Sequence, residues 1–348
     1  MDTAGGPTPP PPPQAQVARL MDGYLVTQLL YVAVKLGIPD VLASGARDAG
    51  AIADAVDAQP GPLRRVLRGL AANGVIDELP DGRFGLTPLG DCLRDGVPGS
   101  LRGAVAARGD LYYRAAAELL TAVQQGGVPF ERACGDDFFT YVTRHPDLGA
   151  AFQASMADRS RQEAADLVAA YDFSRFTRLV DVGGGTGVLL AAILDATPGL
   201  HGVLFDLPDV VARAADQLAD MVAAGRCRIV GGDFFEVDLP PGDAFLLARV
   251  IHNWDDAAAG RILATCHRAM APGQTILLAE AVLPERAADH PAVTTMDLHM
   301  LVLFRHARER TVAEFDALLA AAGFRRERVV PTRSPAGLAL IEAVRLPD

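Results

Sequence analysis

Residues 179–193 read LVDVGGGTGVLLAAI, and this stretch decides the fold. A short apolar run, a turn rich in glycine and a second apolar run predict a strand, a tight turn and a helix. Gly183, Gly185 and Gly187 form a G-x-G-x-G pattern, which permits the turn and lets a ligand approach the backbone closely. A dinucleotide-binding loop would carry a further glycine where this chain has Val188. The loop alone therefore indicates a nucleotide-like ligand only weakly.

Outward from this loop, short apolar runs alternate with helical stretches from about residue 176 onward. Alternating strands and helices predict a mostly parallel sheet covered on both faces. The last two runs are separated only by PTRSPA, so they are expected to be antiparallel. The seven strand candidates are RLVDVGGG, GVLFDL, CRIVGGDFF, AFLLARV, QTILLAEAVL, FRRERVV and GLALIEAV.

Two acidic residues follow the second and third of these strands. Asp206 ends GVLFD, and an acid about 20 residues beyond such a loop accepts hydrogen bonds from ribose hydroxyls. Asp233, in GGDFF, is placed to reach an adenine amino group, and Phe234 to pack on the ring. Either acid by itself could merely cap a helix. In order at successive strand ends, they predict an adenosine pocket at the carboxyl edge of the sheet.

The N-terminal part, from about residue 17 to 170, has a helical pattern. Two helices around a QPGP turn, then two short strands around PDG, are typical of a winged helix. Arg64, Arg65 and Arg68 on the second helix keep DNA binding open as an alternative. The net charge of −11 and the pI of about 5.1 argue against a nucleic-acid partner. The apolar helix at 20–36 favours a homodimer interface.

Length and composition set the remaining expectations. The chain of 348 residues, half of them apolar, suits two domains. It carries neither a signal-peptide pattern nor an apolar stretch of about 20 residues, so we expect a cytoplasmic protein without a membrane partner. Four scattered cysteines without a C-x-x-C pair predict neither disulfides nor zinc. The expected divisions are a disordered proline-rich tail at 1–16, a dimerisation domain at 17–108, a helical linker at 109–170 and a catalytic domain at 171–348.

The stretch RVIHNWDD leaves three roles open for His252: a base, a metal ligand or a structural side chain. A metal site is disfavoured because H-E-x-x-H is absent from the sequence and His252 has no histidine four residues on. Histidine is well suited to take a proton near neutral pH, and it then needs a group that orients it. Glu280 ends the next strand and is expected beside it, with Glu309 in RERT as the second candidate.

Taken together, DVGGGTG, FDLP, GDFF, HNWDD, AE-x-VLP and ERT-x-x-EF resemble the S-adenosylmethionine-dependent O-methyltransferases of the plant caffeic-acid and bacterial polyketide type. The resemblance covers nearly the whole chain. It implies an α/β fold with a Rossmann-like, seven-stranded class I methyltransferase sheet, and a mostly helical winged-helix dimerisation domain before it. It also implies a homodimer without metal that converts S-adenosyl-L-methionine to S-adenosyl-L-homocysteine.

The resemblance further implies methyl transfer to a hydroxyl, expected to be phenolic, of an aromatic or polyketide-type secondary metabolite. His252 would be the general base, flanked by Glu280 and Glu309. A phenol has a pKa of about 10, so supplying its phenolate at pH 7 costs roughly 4 kcal/mol. The cofactor would be bound by Asp181, Gly183, Gly185, Asp206, Leu207, Asp233 and Phe234, with Met156 near the reactive methyl.

The acceptor is expected between segments 109–160 and 296–306. Phe152, Met296, Asp297, Met300 and Phe304 suggest a flat, mostly apolar ligand with a few polar anchors. The sequence does not identify that acceptor, and nitrogen or carboxylate acceptors stay open.

The sequence departs from the family pattern in three places. Asn253 replaces the usual aspartate, and Ala248 stands where plant relatives have a lysine that contacts the cofactor. FRHARERT lacks the usual paired glycines, so the loop that carries Glu309 is expected to differ from that of the relatives. The alternatives are a methyltransferase-like hydroxylase, decarboxylase or pericyclase and, more remotely, a winged-helix regulator.

Overall fold

A computed structural model describes residues 11–347, and at 150, 151, 154, 157 and 158 it describes the backbone alone. The chain divides into two compact units. The N-terminal unit comprises the described residues up to Arg114 together with Pro146–Ser155. The C-terminal unit comprises Ala115–His145 and the described residues from Met156 onward. The predicted linker at 109–170 is therefore divided between the two units, and the predicted domain limits stay predictions.

The N-terminal unit is helical apart from one hairpin. Its strands β1 (Ile76–Glu78) and β2 (Phe84–Leu86) pair antiparallel, which confirms the predicted hairpin. Its helices are α1 (Pro13–Met21), α2 (Gly23–Leu36), α3 (Ile38–Leu42), α4 (Ala49–Ala55), α5 (Pro60–Ala72), α6 (Pro88–Asp91), α7 (Arg102–Ala107) and α8 (Tyr113–Ala116), which runs across the limit of the unit, with a π-helical turn at Arg108–Tyr112.

Helix α5 shows why this part folds as helix, turn, helix and hairpin. Leu63, Leu67 and Leu70 recur at helical spacing and are buried, while the arginines between them face solvent. Pro60 occupies the first helical position, where its missing N–H leaves no hydrogen bond unmade. The buried leucines join one core with the apolar side chains of α2, α3, α4 and the hairpin.

The predicted tail at 1–16 is partly outside the described residues and partly wrong. Residues 1–10 are not described, but α1 begins at Pro13, so positions 13–16 are helical rather than extended. Proline has a backbone angle that suits the first turn of a helix, which explains how a proline run can start one. Within the described residues, no single helix is long and apolar enough to cross a membrane, although α1 and α2 pass that test as a pair bent by 41°.

The C-terminal unit alternates strands and helices as predicted. Its strands are β3 (Arg178–Val182), β4 (His201–Asp206), β5 (Cys227–Gly231), β6 (Ala244–Ala248), β7 (Thr275–Leu283), β8 (Arg310–Thr311), β9 (Phe324–Pro331) and β10 (Leu338–Arg345). Its helices are α9 (Leu119–Gln125), α10 (Pro129–Cys134), α11 (Phe138–Arg144), the part of α12 (Pro146–Ala170) from Met156 on, α13 (Val188–Ala196), α14 (Pro208–Val211), α15 (Ala219–Ala223), α16 (Asp256–Ala269), α17 (Pro291–Leu303) and α18 (Val312–Ala321).

The main sheet has the order β5-β4-β3-β6-β7-β10-β9. The first five of these strands are parallel, and β10 is antiparallel to both β7 and β9, which confirms the predicted fold class and the antiparallel end. The two-residue strand β8, beside β7, was not predicted. The stretch PDVVARAADQLADMVAAG, residues 208–225, predicts a single helix, but the structure has the two short helices α14 and α15 there.

The order of the strands positions the site. From β3 the chain first builds outward through β4 and β5, then returns to place β6 on the other side of β3. Ligands bind at such reversal points, beyond the carboxyl ends of the strands. Two apolar cores cover the sheet, one containing Leu190 and Leu194 of α13 and the other containing Ile262 of α16 and Phe315 of α18.

Candidate active site

A cleft of about 610 Å³ opens at the carboxyl edge of the parallel strands. Five of the predicted cofactor residues lie on its wall: Gly183, Asp206, Leu207, Asp233 and Phe234. They come from the ends of β3, β4 and β5, so the sheet brings together residues that are far apart in sequence.

The glycine loop is shaped for close approach to its backbone. Gly183 has φ +72°, and a Cβ atom there would lie 2.7 Å from Cγ2 of Val250. Gly185 has φ +61° and faces open space. Its N–H donates to Asp206 Oδ2 at 2.8 Å, and the Leu207 N–H donates to Oδ1 at 2.7 Å. The Asp206 carboxylate is thereby fixed at the cleft, with lone pairs left for hydroxyl donors.

The far side of this part of the cleft is aromatic. Asp233 Oδ1 accepts the Phe235 N–H at 2.8 Å, which holds the carboxylate beside the rings. Trp254 packs edge-on against Phe235, with ring centroids 4.9 Å apart, and against Phe234 at 6.1 Å. All three rings line the cleft. This part of the cleft fits an adenosine-containing cofactor. It offers carboxylates for hydroxyl and amino groups, an aromatic surface for a flat ring and an open glycine loop.

Three predicted cofactor residues do not line the cleft: Gly185 of the loop, Asp181 and Met156. Asp181 is fully buried beneath the glycine loop, and a Cβ atom on Gly184 would lie 2.4 Å from its Oδ2. Neither of its carboxyl oxygens has a hydrogen-bond partner within the part of the chain that the structure describes. Burial, assisted by the charge of Asp206, raises the pKa of Asp181 to about 7. Met156 is half-buried on α12 and also lies outside the lining.

The three predicted catalytic residues do meet. His252 lies on a 3₁₀ turn, Ile251–Asn253, directly after β6, and its Nδ1 is 3.1 Å from Glu309 Oε1. Glu280 Oε1 accepts the Ile251 N–H at 2.8 Å. One ligand-type atom from each of His252, Glu280 and Glu309 falls within 4.8 Å of the others, and all three side chains are buried. Burial raises the pKa of Glu280, with the charge of Glu309 adding to the effect.

The hydrogen bond to the imidazole differs from the expectation. The sequence predicts Glu280 as the group that orients His252, but in the structure Glu309 makes that contact and Glu280 accepts a backbone N–H of the turn. The pairing of β8 with β7 explains this, because it brings residue 309 against the sheet edge. Asp297 Oδ1 accepts the Glu309 N–H at 2.9 Å and fixes the position further.

The same three side chains could offer ligand atoms to a metal ion. In the structure, however, His252 Nδ1 faces Glu309 and Glu280 Oε1 is bonded to the backbone. The expectation that no metal takes part stays a prediction.

Of the predicted acceptor residues, only Phe304 lines the cleft. Its ring lies 5.7 Å from that of Phe139 and 5.1 Å from that of Phe138, measured between centroids. Met300 is buried, Asp297 supports Glu309, and Met296 Sδ lies 3.8 Å from Arg159 Nη1. Phe152, on α12, is half-buried within the N-terminal unit.

Three residues of the site were missed from sequence. Arg310 is fully buried and donates to the carbonyls of Ile251 and Trp254, at 3.0 and 2.7 Å, on either side of His252. Arg249 lines the cleft, and Glu163 on α12 binds it through a hydrogen bond of 2.5 Å. The two arginines stand in the motifs RVIHNWDD and RERT, which could have drawn attention to them. The sequence does not indicate which groups they bind.

Comparison with known proteins agrees with this geometry. The O-methyltransferase domain model matches residues 116–325, and the O-methyltransferase dimerisation domain model matches residues 18–95. The chain is 43% identical to the phenazine O-methyltransferase PhzM of Lysobacter antibioticus, over 93% of this chain and 94% of that protein. It is 37% identical to the O-demethylpuromycin-O-methyltransferase of Streptomyces alboniger, over 95% of this chain and 89% of that protein.

A solved structure is similar along almost its whole length. The S-adenosylhomocysteine-bound form of CalO1, a methyltransferase in calicheamicin biosynthesis, is 34% identical and superposes with a TM-score of 0.85. The match covers 97% of this chain and 100% of that one.

Fold, cleft and matches together define a methyltransferase that uses S-adenosylmethionine as its cofactor. The chain belongs to the O-methyltransferase family, and it contains that family's dimerisation domain.

Proposed function

We propose that this enzyme transfers a methyl group to a phenolic hydroxyl of a flat aromatic small molecule, with His252 as the general base. The observation that supports this most directly is the buried contact between His252 Nδ1 and Glu309. Asn253 of the same turn, and Arg249 and Val250 just before it, line the cleft. A buried imidazole held by a carboxylate is the arrangement that proton removal from a hydroxyl needs.

The Glu309 contact sets the direction of proton transfer. A carboxylate only accepts hydrogen bonds, so the neutral imidazole carries its proton on Nδ1 and leaves Nε2 free to accept one. When Nε2 takes the hydroxyl proton, the pair of the O–H bond stays on the acceptor oxygen, which would use a lone pair to form the bond to the methyl carbon. The bond between that carbon and the cofactor sulfur would break at the same time, and its electron pair would stay on sulfur as a neutral thioether. Glu309 then stabilises the imidazolium. When bound, the cofactor supplies an electrophilic methyl group on a sulfonium.

The remaining assignments follow the cleft wall. Asp206, Asp233 and Phe234 would hold the adenosine part, with the backbone of Gly183 and Gly185 close to the cofactor. Asp181 would support the loop from below. Phe138, Phe139 and Phe304 provide an apolar aromatic wall that suits a flat ring. The phenazine and puromycin enzymes, by their names, act on molecules of comparable aromatic character.

The proposal also covers assembly and location. The match to a dimerisation domain, and the exposed apolar side chains of α1 and α2, support a homodimer formed through the N-terminal unit. We place the enzyme in the cytoplasm.

The test is product analysis with methyl-labelled S-adenosylmethionine and matched acceptors. A panel of polycyclic phenols is compared with the same ring systems carrying an amine, a carboxylate or no polar group in place of the hydroxyl. We expect label and one added methylene unit on the phenols alone. Label on the amine instead would reject the oxygen acceptor, and a product that gains oxygen or loses carbon dioxide would reject methyl transfer.

A further inference from the structure

A row of alternating charges connects α12 to the turn that carries His252. Arg159 Nε donates to Glu163 Oε1 at 2.8 Å. Arg249 Nη2 donates to the same oxygen at 2.5 Å, and its Nη1 lies 3.7 Å from Glu309 Oε1. That Glu309 oxygen is also the one that faces His252 Nδ1. The Arg249 guanidinium is therefore shared between Glu163 and the carboxylate that holds the imidazole.

Arg249 has a backbone conformation that favours glycine. Its φ is +56°, and in the described part of the chain only Asp57 is another non-glycine residue with positive φ. Asn253 Nδ2 donates to the Arg249 carbonyl at 2.9 Å, and the Arg249 N–H donates to Ala279 at 3.0 Å. Strained residues of this kind persist where their surroundings hold them, and they cluster at functional sites. An aspartate at 253 would have no donor for that carbonyl at neutral pH, which gives the asparagine a physical reason.

With Glu280 and the imidazole both neutral, the remaining charges of this row balance. Arg159 and Arg249 carry one positive charge each, and Glu163 and Glu309 one negative charge each. Burial raises the pKa of Glu280 and so favours its neutral form. Burial opposes ionisation of Glu163 as well, but Arg249 and Arg159 outweigh it and lower the pKa of that carboxyl. Without Arg249 the carboxylates would exceed the cations, and a proton on the imidazole would restore the balance.

Other charged groups around the turn are engaged elsewhere. Arg310 binds Asp256 at 2.8 Å, and Arg308 binds Glu314. Asp297, on α17, accepts the backbone N–H of Glu309. Burial raises the pKa of Asp297, which favours its neutral form. Among the described residues, Arg249 is the arginine whose side chain forms an ion pair with Glu309.

We propose that Arg249, held in its left-handed conformation by the Asn253 amide, is a positioning residue that keeps His252 neutral and therefore able to act as a base. The proposal rests on the function proposed for His252, because only a base needs to be unprotonated before the reaction.

Three variants test it through opposite effects: Arg249→Gln, Glu163→Gln and the double variant. The readout is the pH at which half of the His252 rings have taken up a proton. It is followed by NMR of ¹³C-labelled histidines in the complex with S-adenosyl-L-homocysteine, and the His252 signal is assigned by its loss in His252→Ala. We expect the midpoint to rise by about one pH unit in Arg249→Gln and to fall in Glu163→Gln. The double variant, which loses one charge of each sign, should return close to the wild-type midpoint.

A purely structural role would not produce this pattern. Midpoints that move in the same direction in both single variants, or that do not move, would overturn the proposal. If Arg249→Gln fails to fold because Glu163 is left buried without its partner, Glu163→Gln and the double variant still decide the sign. The acid limb of kcat/KM should move with the NMR midpoint in each variant.

The Asn253 contribution is tested by Asn253→Ala. We expect its midpoint to shift in the same direction as in Arg249→Gln. In a variant that combines Asn253→Ala with Arg249→Gln, the two shifts should be non-additive. Additive shifts would mean that Asn253 acts independently of Arg249. NMR needs no turnover, so the two proposals can fail separately. If the midpoints shift as expected but His252→Ala transfers methyl groups as fast as wild type, the general base is rejected and the charge balance stands.

Discussion

Asp181 is the residue whose environment is least expected from the sequence. The family resemblance implied a cofactor contact for it, yet the structure places it within β3, under the glycine loop and without a hydrogen-bond partner among the described residues. The loop packs so closely on it that no side chain could stand at Gly184. The residue therefore supports the loop while resisting ionisation, and this has a measurable effect on stability.

The pKa of Asp181 is raised to about 7 from an ordinary 3.8. A raised carboxyl pKa means that the folded state binds the proton more tightly than the unfolded state. Stability from this group is thus fully present below about pH 4 and is lost as the pH rises through 7. Asp181→Asn, which resembles the protonated acid, should lack this dependence.

The difference in unfolding free energy between Asp181→Asn and wild type should grow by about 2 kcal/mol, in favour of the variant, when the pH is raised from 5 to 7.5. Denaturant unfolding at both pH values measures it, with Asp195→Asn, on α13, as the control that should show no such difference. An unchanged difference between Asp181→Asn and wild type across that range would mean that Asp181 is not protonated in the folded enzyme.

At the scale of elements, the clamp formed by Arg310 determines where the catalytic turn lies. Its side chain is fully buried and binds the carbonyls of Ile251 and Trp254 and the Asp256 carboxylate. Asp256 is the first residue of α16, so one guanidinium joins β8, the turn and that helix. Lysine has the charge but not the planar fork of donors.

Arg310→Lys should therefore leave carbonyls of the turn unsatisfied. We predict a loss of about 2 kcal/mol in unfolding free energy and a fall in kcat that exceeds any change in KM for the cofactor. Arg308→Lys is the matched control, because Arg308 is half-buried and binds only Glu314 with its guanidinium in the described contacts. If the two changes had equal effects on kcat and stability, Arg310 would have no special role in positioning the catalytic turn.

The sequence predicted the seven long strands and the hairpin because period, turn residues and length agree there. It missed β8, since two residues carry no period, and the helical start at Pro13, since a proline run usually predicts an extended chain. Among site residues, strand ends were predicted well because parallel strands share one edge. The residues that line the acceptor part of the cleft were predicted poorly. Helix α17 is apolar around most of its circumference, so its pattern does not indicate which face meets the cleft.

At the scale of the whole molecule, the proposed homodimer has a direct test. Leu20 and Met21 of α1 are 79% and 69% exposed. Contiguous exposed apolar side chains mark surfaces that contact another protein. Replacing both with glutamate should shift the mass in sedimentation equilibrium from dimer toward monomer. Val237→Glu, an exposed apolar site in the C-terminal unit, is the control that should stay dimeric. A double variant that keeps the wild-type mass would place the interface elsewhere.

The role of His252 is tested most directly by the single-turnover rate of methyl transfer to a phenol as a function of pH, in wild type, His252→Ala and the control His201→Ala. His201 is exposed at the opposite end of β4. At pH 7 we predict that His252→Ala is slower by roughly 10²- to 10⁴-fold. Its rate should then rise about tenfold per pH unit toward the phenol pKa of about 10, because the variant depends on phenolate formed in solution. A loss below tenfold, with a pH profile parallel to wild type, would contradict a general base at His252.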